Sequence, residues 1–270
     1  MLPITRRSFL WAAGAPALAQ SQSSRLTRAE TEEFLLKAGI VSERPRDQRQ
    51  SRISLDDGKR KHDANVETED GSTPSRRDYR LNVAAYELDK LLELRMSPPT
   101  VERTVNRRPA SVTWWVDDVA ISEADRRKKK IEPPDPESWS QQMQAVRLFD
   151  ELMSNPYRSM EPADAESRQS VWDELLITKA WRIWLIDHTR TFRIGKRLEH
   201  PQSLTRCDRA LLGKLRELNK EAVKGKLGKY LTPEQLDALE ARRELLVGHF
   251  DERIRSKGAG AVLYDLPPRQ

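Results

Sequence analysis

Residues 177–193 read ITKAWRIWLIDHTRTFR. Trp181, Ile183 and Leu185 alternate with Arg182, Trp184 and Ile186, a period of two that predicts a short strand, and the run ends on Asp187-His188. On both sides the apolar residues recur at three and four instead. That spacing predicts helices over Trp139–Met153, Ala165–Leu176, Asp208–Val223 and Thr232–Lys257. The last opens on Thr232-Pro233-Glu234-Gln235, a capping box with proline in the first helical turn. A strand that delivers an acidic residue into an otherwise helical half makes the chain α+β rather than all-α.

Working toward the N-terminus, Pro133, Pro134 and Pro136 read as a stiff connector at 133–138. Before it lies a charged, capped helix, Ser122–Lys130, whose Arg126-Arg127-Lys128-Lys129-Lys130 run reads as a solvated helix end. Two strands are expected at Thr100–Val105 and Ser111–Val116; in the second, Trp114 and Trp115 must point to opposite faces. A helix from Asp78 to Leu94 carries Leu81, Ala84, Ala85, Leu88, Leu91 and Leu92 as one apolar stripe, and Ser97-Pro98-Pro99 stops it. Arg52–Leu55 and His62–Thr68 flank Asp57-Gly58 as a hairpin, and Thr27–Glu30 is a capping box opening a helix to Ala38. The expected organisation is an N-terminal helix and linker (20–50), a β-rich part with one long helix (51–132), the connector, a helical part (139–257) and a tail (258–270).

The first residues, MLPITRRSFL, give paired arginines, an apolar stretch from Phe9 to Ala19 and a small-residue end at Ala17-Leu18-Ala19. The stretch is too short for a permanent span, so residues 1–19 read as a twin-arginine signal peptide. The expected address is periplasmic or extracellular, reached through the twin-arginine export machinery. No later segment is long and apolar enough to cross a bilayer. With 48 Lys and Arg against 42 Asp and Glu, the net charge of +6 is modest for 270 residues, and no nucleic-acid partner is expected. The single cysteine, Cys207, excludes an internal disulfide and reads as a buried small side chain. Zinc-spaced Cys/His clusters, a G-x-S-x-G elbow, a P-loop and a G-x-G-x-x-G fingerprint are all missing.

Residues 82–103 (NVAAYELDKLLELRMSPPTVER), 111–119 (SVTWWVDDV) and 177–193 together resemble the phosphatidylinositol-kinase-like and HipA-like atypical kinases. The resemblance implies a two-lobe kinase-like fold that would use ATP and magnesium. It places Asp187 as the magnesium ligand, with Glu174 standing where the family has a second, asparagine ligand. The bland alternative has Asp187 capping a turn, with His188 and Arg190 in surface pairs. The resemblance also implies a phosphate-binding lysine on an early strand, paired to a glutamate on the long helix; Lys59, Lys61 and Glu87 lie in those regions. Departures are concentrated in the catalytic loop. Asn155-Pro156-Tyr157-Arg158 puts Tyr157 where the catalytic aspartate should stand, and a phenol with a pKa near 10 cannot replace a carboxylate at neutral pH. Glu161, Asp164, Glu166 and Asp173 lie in or beside an inserted acidic stretch that could stand in for it. The expectation is an exported, kinase-like binding or regulatory module with a protein or small-molecule ligand, and with either ATP and magnesium or no cofactor. The alternatives are an active atypical phosphotransferase and a structural envelope protein.

Overall fold

The structure, a computed structural model, describes residues 26–69, 78–155, 158 and 173–269. The signal-peptide reading of residues 1–19, Tyr157, Glu161, Asp164 and Glu166, and the expected helix as far as residue 172, lie outside these residues. The fold is mixed α+β.

A five-stranded antiparallel sheet has the order β1-β2-β3-β5-β4, from β1 (Gly39–Pro45), β2 (Gln50–Asp56), β3 (Lys61–Thr68), β4 (Thr100–Val105) and β5 (Arg108–Trp114). The β2–β3 hairpin turns at Asp57-Gly58 as expected; Gly58 has φ +84°, and the Asp57 carboxylate accepts from the amides of Lys59 and Arg60. Sequence patterning missed β1, whose residues are all exposed and so carry no alternation to read. The helix α1 (Arg28–Lys37) starts at the expected Thr27–Glu30 capping box. It covers one face of the sheet, where Phe34 and Leu35 pack with Ile53, Leu55, Ala64, Val66, Val101 and Val112.

The opposite face is polar. The residues alternating with that core are Arg52 and Ser54 on β2, Asp63, Asn65 and Glu67 on β3, Ser111 and Thr113 on β5, and Thr100 and Glu102 on β4. The two tryptophans divide as their parity requires: Trp114 stacks on His62 at 3.4 Å and meets Phe34 edge-on, while Trp115 lies over the Arg52 guanidinium at 3.9 Å.

The helix α2 (Tyr79–Leu91), capped by Asp78, bridges the two halves. Its stripe of Leu81, Ala84, Ala85, Leu88 and Leu92 belongs to the larger hydrophobic cluster, formed with α4 (Pro136–Met153), the strands β7 (Leu175–Thr178) and β8 (Ile183–Leu185), and the later helices. Before α4 come β6 (Val119–Ser122) and α3 (Glu123–Lys128). A three-stranded sheet, β6-β7-β8, was only partly foreseen. Leu175 and Leu176, expected at a helix end, open β7, because Leu175 and Ile177 bury one side while the backbone pairs with β6 and β8. The connector is shorter than expected, since Asp135 caps α4 and Pro136 takes its first turn, where a missing N–H costs nothing.

The helix expected over Asp208–Val223 is two, α5 (Arg209–Glu217) and α6 (Lys220–Leu227). Asn219 breaks them by capping the second with its side chain on the Ala222 amide. α7 (Pro233–Lys257) follows with its capping box as read, and α8 (Ala259–Val262) leads into β10 (Leu263–Tyr264), which pairs in parallel with β9 (Cys207–Asp208). Arg126 and Arg127 are not a solvated end: both bind the buried Glu123 carboxylate, at 2.6 and 2.7 Å. No described helix is long and apolar enough to cross a membrane.

Candidate functional site

β8 ends at Leu185, and the chain turns at Asp187 with φ +52°, a left-handed conformation that aspartate tolerates because its short side chain can bond locally. The carboxylate does so, accepting from the Thr189 hydroxyl at 2.5 Å and the Thr189 amide at 3.3 Å. The turn-capping alternative is therefore correct for Asp187 as local structure. It is wrong for His188, which is only 3% exposed.

Arg158 organises what lies around this turn. Its side chain and that of Asp150, near the C-terminus of α4, are each 1% exposed, with Nε 3.1 Å from Asp150 Oδ1. Nη1 donates to the carbonyls of Glu174 and Ile186, both at 3.3 Å, and Nη2 lies 3.0 Å from His188 Nδ1. A guanidinium only donates, so Nδ1 is the acceptor and the imidazole proton sits on Nε2. One cation thus ties the end of α4, the start of β7, the end of β8 and the Asp187 turn together. Burial and the Arg158 charge hold His188 well below the ordinary histidine range, as a neutral ring.

The structure brings Glu174 and Asp187 together. Ile186 N–H donates to the Glu174 carbonyl at 3.0 Å, which sets the two residues at neighbouring strand ends. Burial pushes the Glu174 carboxyl up to about 8; Arg158 opposes this, Asp187 adds to it, Arg190 opposes and Asp150 adds. Asp150 is pushed up to about 6 by burial, against the pull of Arg158 and Asn155. Magnesium takes hard oxygen ligands and commonly only one or two carboxylates, so the Asp187 and Glu174 donors fit that ion by their chemistry. Among the described residues no three carboxylates, imidazoles or thiols gather into a metal site.

The sheet side is different. Lys59 lies in the exposed hairpin turn, and Lys61 pairs with Asp56 at 3.4 Å. Glu87 pairs with Lys90 at 3.1 Å, so the structure does not join either lysine to it. Where β3 faces α2, the two elements meet through Glu67 and Asn82. Glu67 is 2% exposed, and Asn82 Nδ2 lies 3.4 Å from its Oε2 and 3.1 Å from Ser111 Oγ. Asn82 Oδ1 then accepts from the His188 amide at 2.7 Å, closing a chain from the sheet through α2 to the acidic turn. Arg52, on the same polar face, is held by Asp63 at 2.6 Å.

No family model matches the chain, and no curated protein matches it. Solved structures do. One is the Helicobacter pylori proinflammatory kinase CtkA, at 11% identity and a TM-score of 0.50, over 83% of this chain and 98% of that one. The fold is kinase-like. At the β3–α2 contact the chain has Glu67 and Asn82. Sequence reasoning missed both. It also missed Arg158 and Asp150 as partners. The polar parity of Asp63, Asn65 and Glu67 was legible, as was the lone amide of Asn82 inside an apolar stripe; the burial of Arg158 was not.

Proposed function

We propose that the chain is a two-lobed, kinase-like protein with a degenerate catalytic apparatus, acting as a binding or regulatory module after export through the twin-arginine route. The observation that carries this reading is Glu67 hydrogen-bonded to Asn82 at the sheet–helix contact, to which we assign the place of the kinase-like lysine–glutamate pair. The second departure, Tyr157 in the place of the catalytic aspartate, points the same way. An exported location adds a third argument, because ATP is scarce outside the cytoplasm. What the site retains is the carboxylate pair, Asp187 and Glu174, which supports a divalent cation as a bound component. A proton on Glu174 competes with that cation, so binding strengthens as pH rises toward 8.

The test is a thermal-shift series on the purified protein at pH 8. Magnesium alone is expected to raise Tm, the rise is lost in Asp187→Ala, and ATP adds nothing beyond it. The second reading, an active atypical phosphotransferase, is favoured by the juxtaposition of Asp187 and Glu174 alone. An ATP-dependent rise on top of the magnesium effect, abolished by Asp187→Ala, would replace the first reading with this one.

A further inference from the structure

A cavity of about 340 Å³ opens among the connector, the start of α4, the β7–β8 turn and the segment after β10. None of its lining residues belongs to the Asp187 cluster. Its volume lies in the range of small-molecule sites. Two walls are aromatic: Trp139 and Trp181 meet edge to face with centroids 5.8 Å apart. Pro134 and Leu266 extend this apolar surface.

Trp181 is held in an unusual way. Its φ is +57°, a conformation that costs a bulky residue of order 1 kcal/mol or more and that glycine would adopt without strain. The turn is fixed from both sides, by Trp181 N–H on the Thr178 carbonyl and by Gln142 Nε2 on the Trp181 carbonyl, both at 2.9 Å. A tryptophan kept where glycine is easier directs an indole to the cavity wall.

The charged rim is cationic. Arg182 is exposed, and no carboxylate among the described residues pairs with it. Arg269 donates to the Ile183 carbonyl, and its guanidinium is pulled down to about 10 by burial, with Asp89 opposing and Arg182 adding to the fall. The two guanidiniums therefore repel, and an anion between them removes that repulsion. Asp135, the acidic side chain in the wall, is occupied in capping α4 through the Ser138 amide at 3.0 Å.

We infer that this cavity is a binding site for a small aromatic anion, its ring packed against the Trp139–Trp181 pair and its carboxylate or comparable group at Arg182 and Arg269. The probe is 2-naphthoate, titrated calorimetrically into the full chain at pH 7.5, with 2-naphthamide as the neutral isostere. One saturable site is expected, weakened at least about tenfold for the amide and for Arg182→Glu, a surface change that leaves Tm in place. Trp181→Gly, which relieves the strained turn, is expected to abolish binding; if that variant loses its fold, Arg182→Glu alone decides. No binding at 1 mM naphthoate, equal affinity for the amide, or unchanged affinity in Arg182→Glu overturns the inference.

Discussion

Replacing Arg158 by methionine keeps the aliphatic stem and removes only the guanidinium. The buried Asp150 carboxylate then loses its cation, and the carbonyls of Glu174 and Ile186 and the His188 Nδ1 lose their donors. Breaking a buried pair on one side costs about 3–5 kcal/mol, because the remaining charge is left without compensation. At roughly 2–4 °C per kcal/mol for a chain of this size, Tm falls by about 6–20 °C. The loss is also pH-dependent. With Arg158 present the Asp150 carboxyl titrates at about 6, and without it higher, so below pH 6 the group is largely protonated in both proteins. From pH 6 to 8 the variant loses a further ~1.4 kcal/mol per unit, or about 3 kcal/mol in all. Urea unfolding of both proteins at pH 5.5 and 8 measures it. A difference below 1 kcal/mol at pH 8, or one equal at the two pH values, refutes the placement of Arg158 as the cation that carries Asp150.

Glu174 titrates near 8 in the fold against a usual value of 4.5, so its contribution is fully present below 4.5 and is lost as pH rises through 8. Wild-type stability is therefore expected to fall by ~1.4 kcal/mol per unit between pH 6.5 and 8, and Glu174→Gln to flatten that slope in denaturant titrations. His188 has the opposite sign: its folded pKa is depressed, so below the ordinary 6.5 the unfolded chain takes a proton that the fold refuses. Relative to wild type, His188→Gln should gain ~1.4 kcal/mol per unit as pH drops below 6.5, which paired melts at pH 6.5 and 5.5 will read. Arg242, fully buried, donates to the carbonyls of Leu152, Arg193 and Gly195. Arg242→Met is expected to cost about 3 kcal/mol and to speed tryptic cleavage at Arg193, Lys196 and Arg197, whereas an unchanged digestion pattern counts against its role in pinning that segment.

What the sequence made legible was whatever repeats or caps locally. The apolar stripe of α2, the boxes at Thr27 and Thr232, the Asp57-Gly58 hairpin and the opposed faces of Trp114 and Trp115 all follow from periods of two or 3.6 and from end chemistry, and the structure has each of them. Elements defined by a distant partner were not legible. β1 has no buried face to pattern it, and β7 holds Leu175 and Leu176 only because β6 and β8 flank them. The site divides the same way. Asp187 could be placed because a strand alternation ends on it, whereas Glu174 was read inside an expected helix and was named only through the family resemblance. The burial of Arg158 and of Glu67 was not legible, since a buried charge is recognised by its partners, and those lie at Asp150, His188 and Asn82 in other elements.

The sheet–helix junction sets a buried carboxylate against a neutral amide. A glutamate in place of Asn82 would set two carboxylates facing each other in a nearly closed space, and one would have to hold a proton. Asn82 removes that conflict. Its amide donates toward Glu67 and to the Ser111 hydroxyl, and its oxygen takes the His188 amide, so a neutral side chain satisfies the sheet and the acidic turn at once. Asn82 thereby ties the sheet to the Asp187 turn. A junction preserved in this way serves positioning of the Asp187 turn. Arg158 is committed beneath that turn to Asp150, His188 and the carbonyls of Glu174 and Ile186, so it fixes the place of the Asp187 and Glu174 carboxylates and leaves them the groups that the magnesium titration reads.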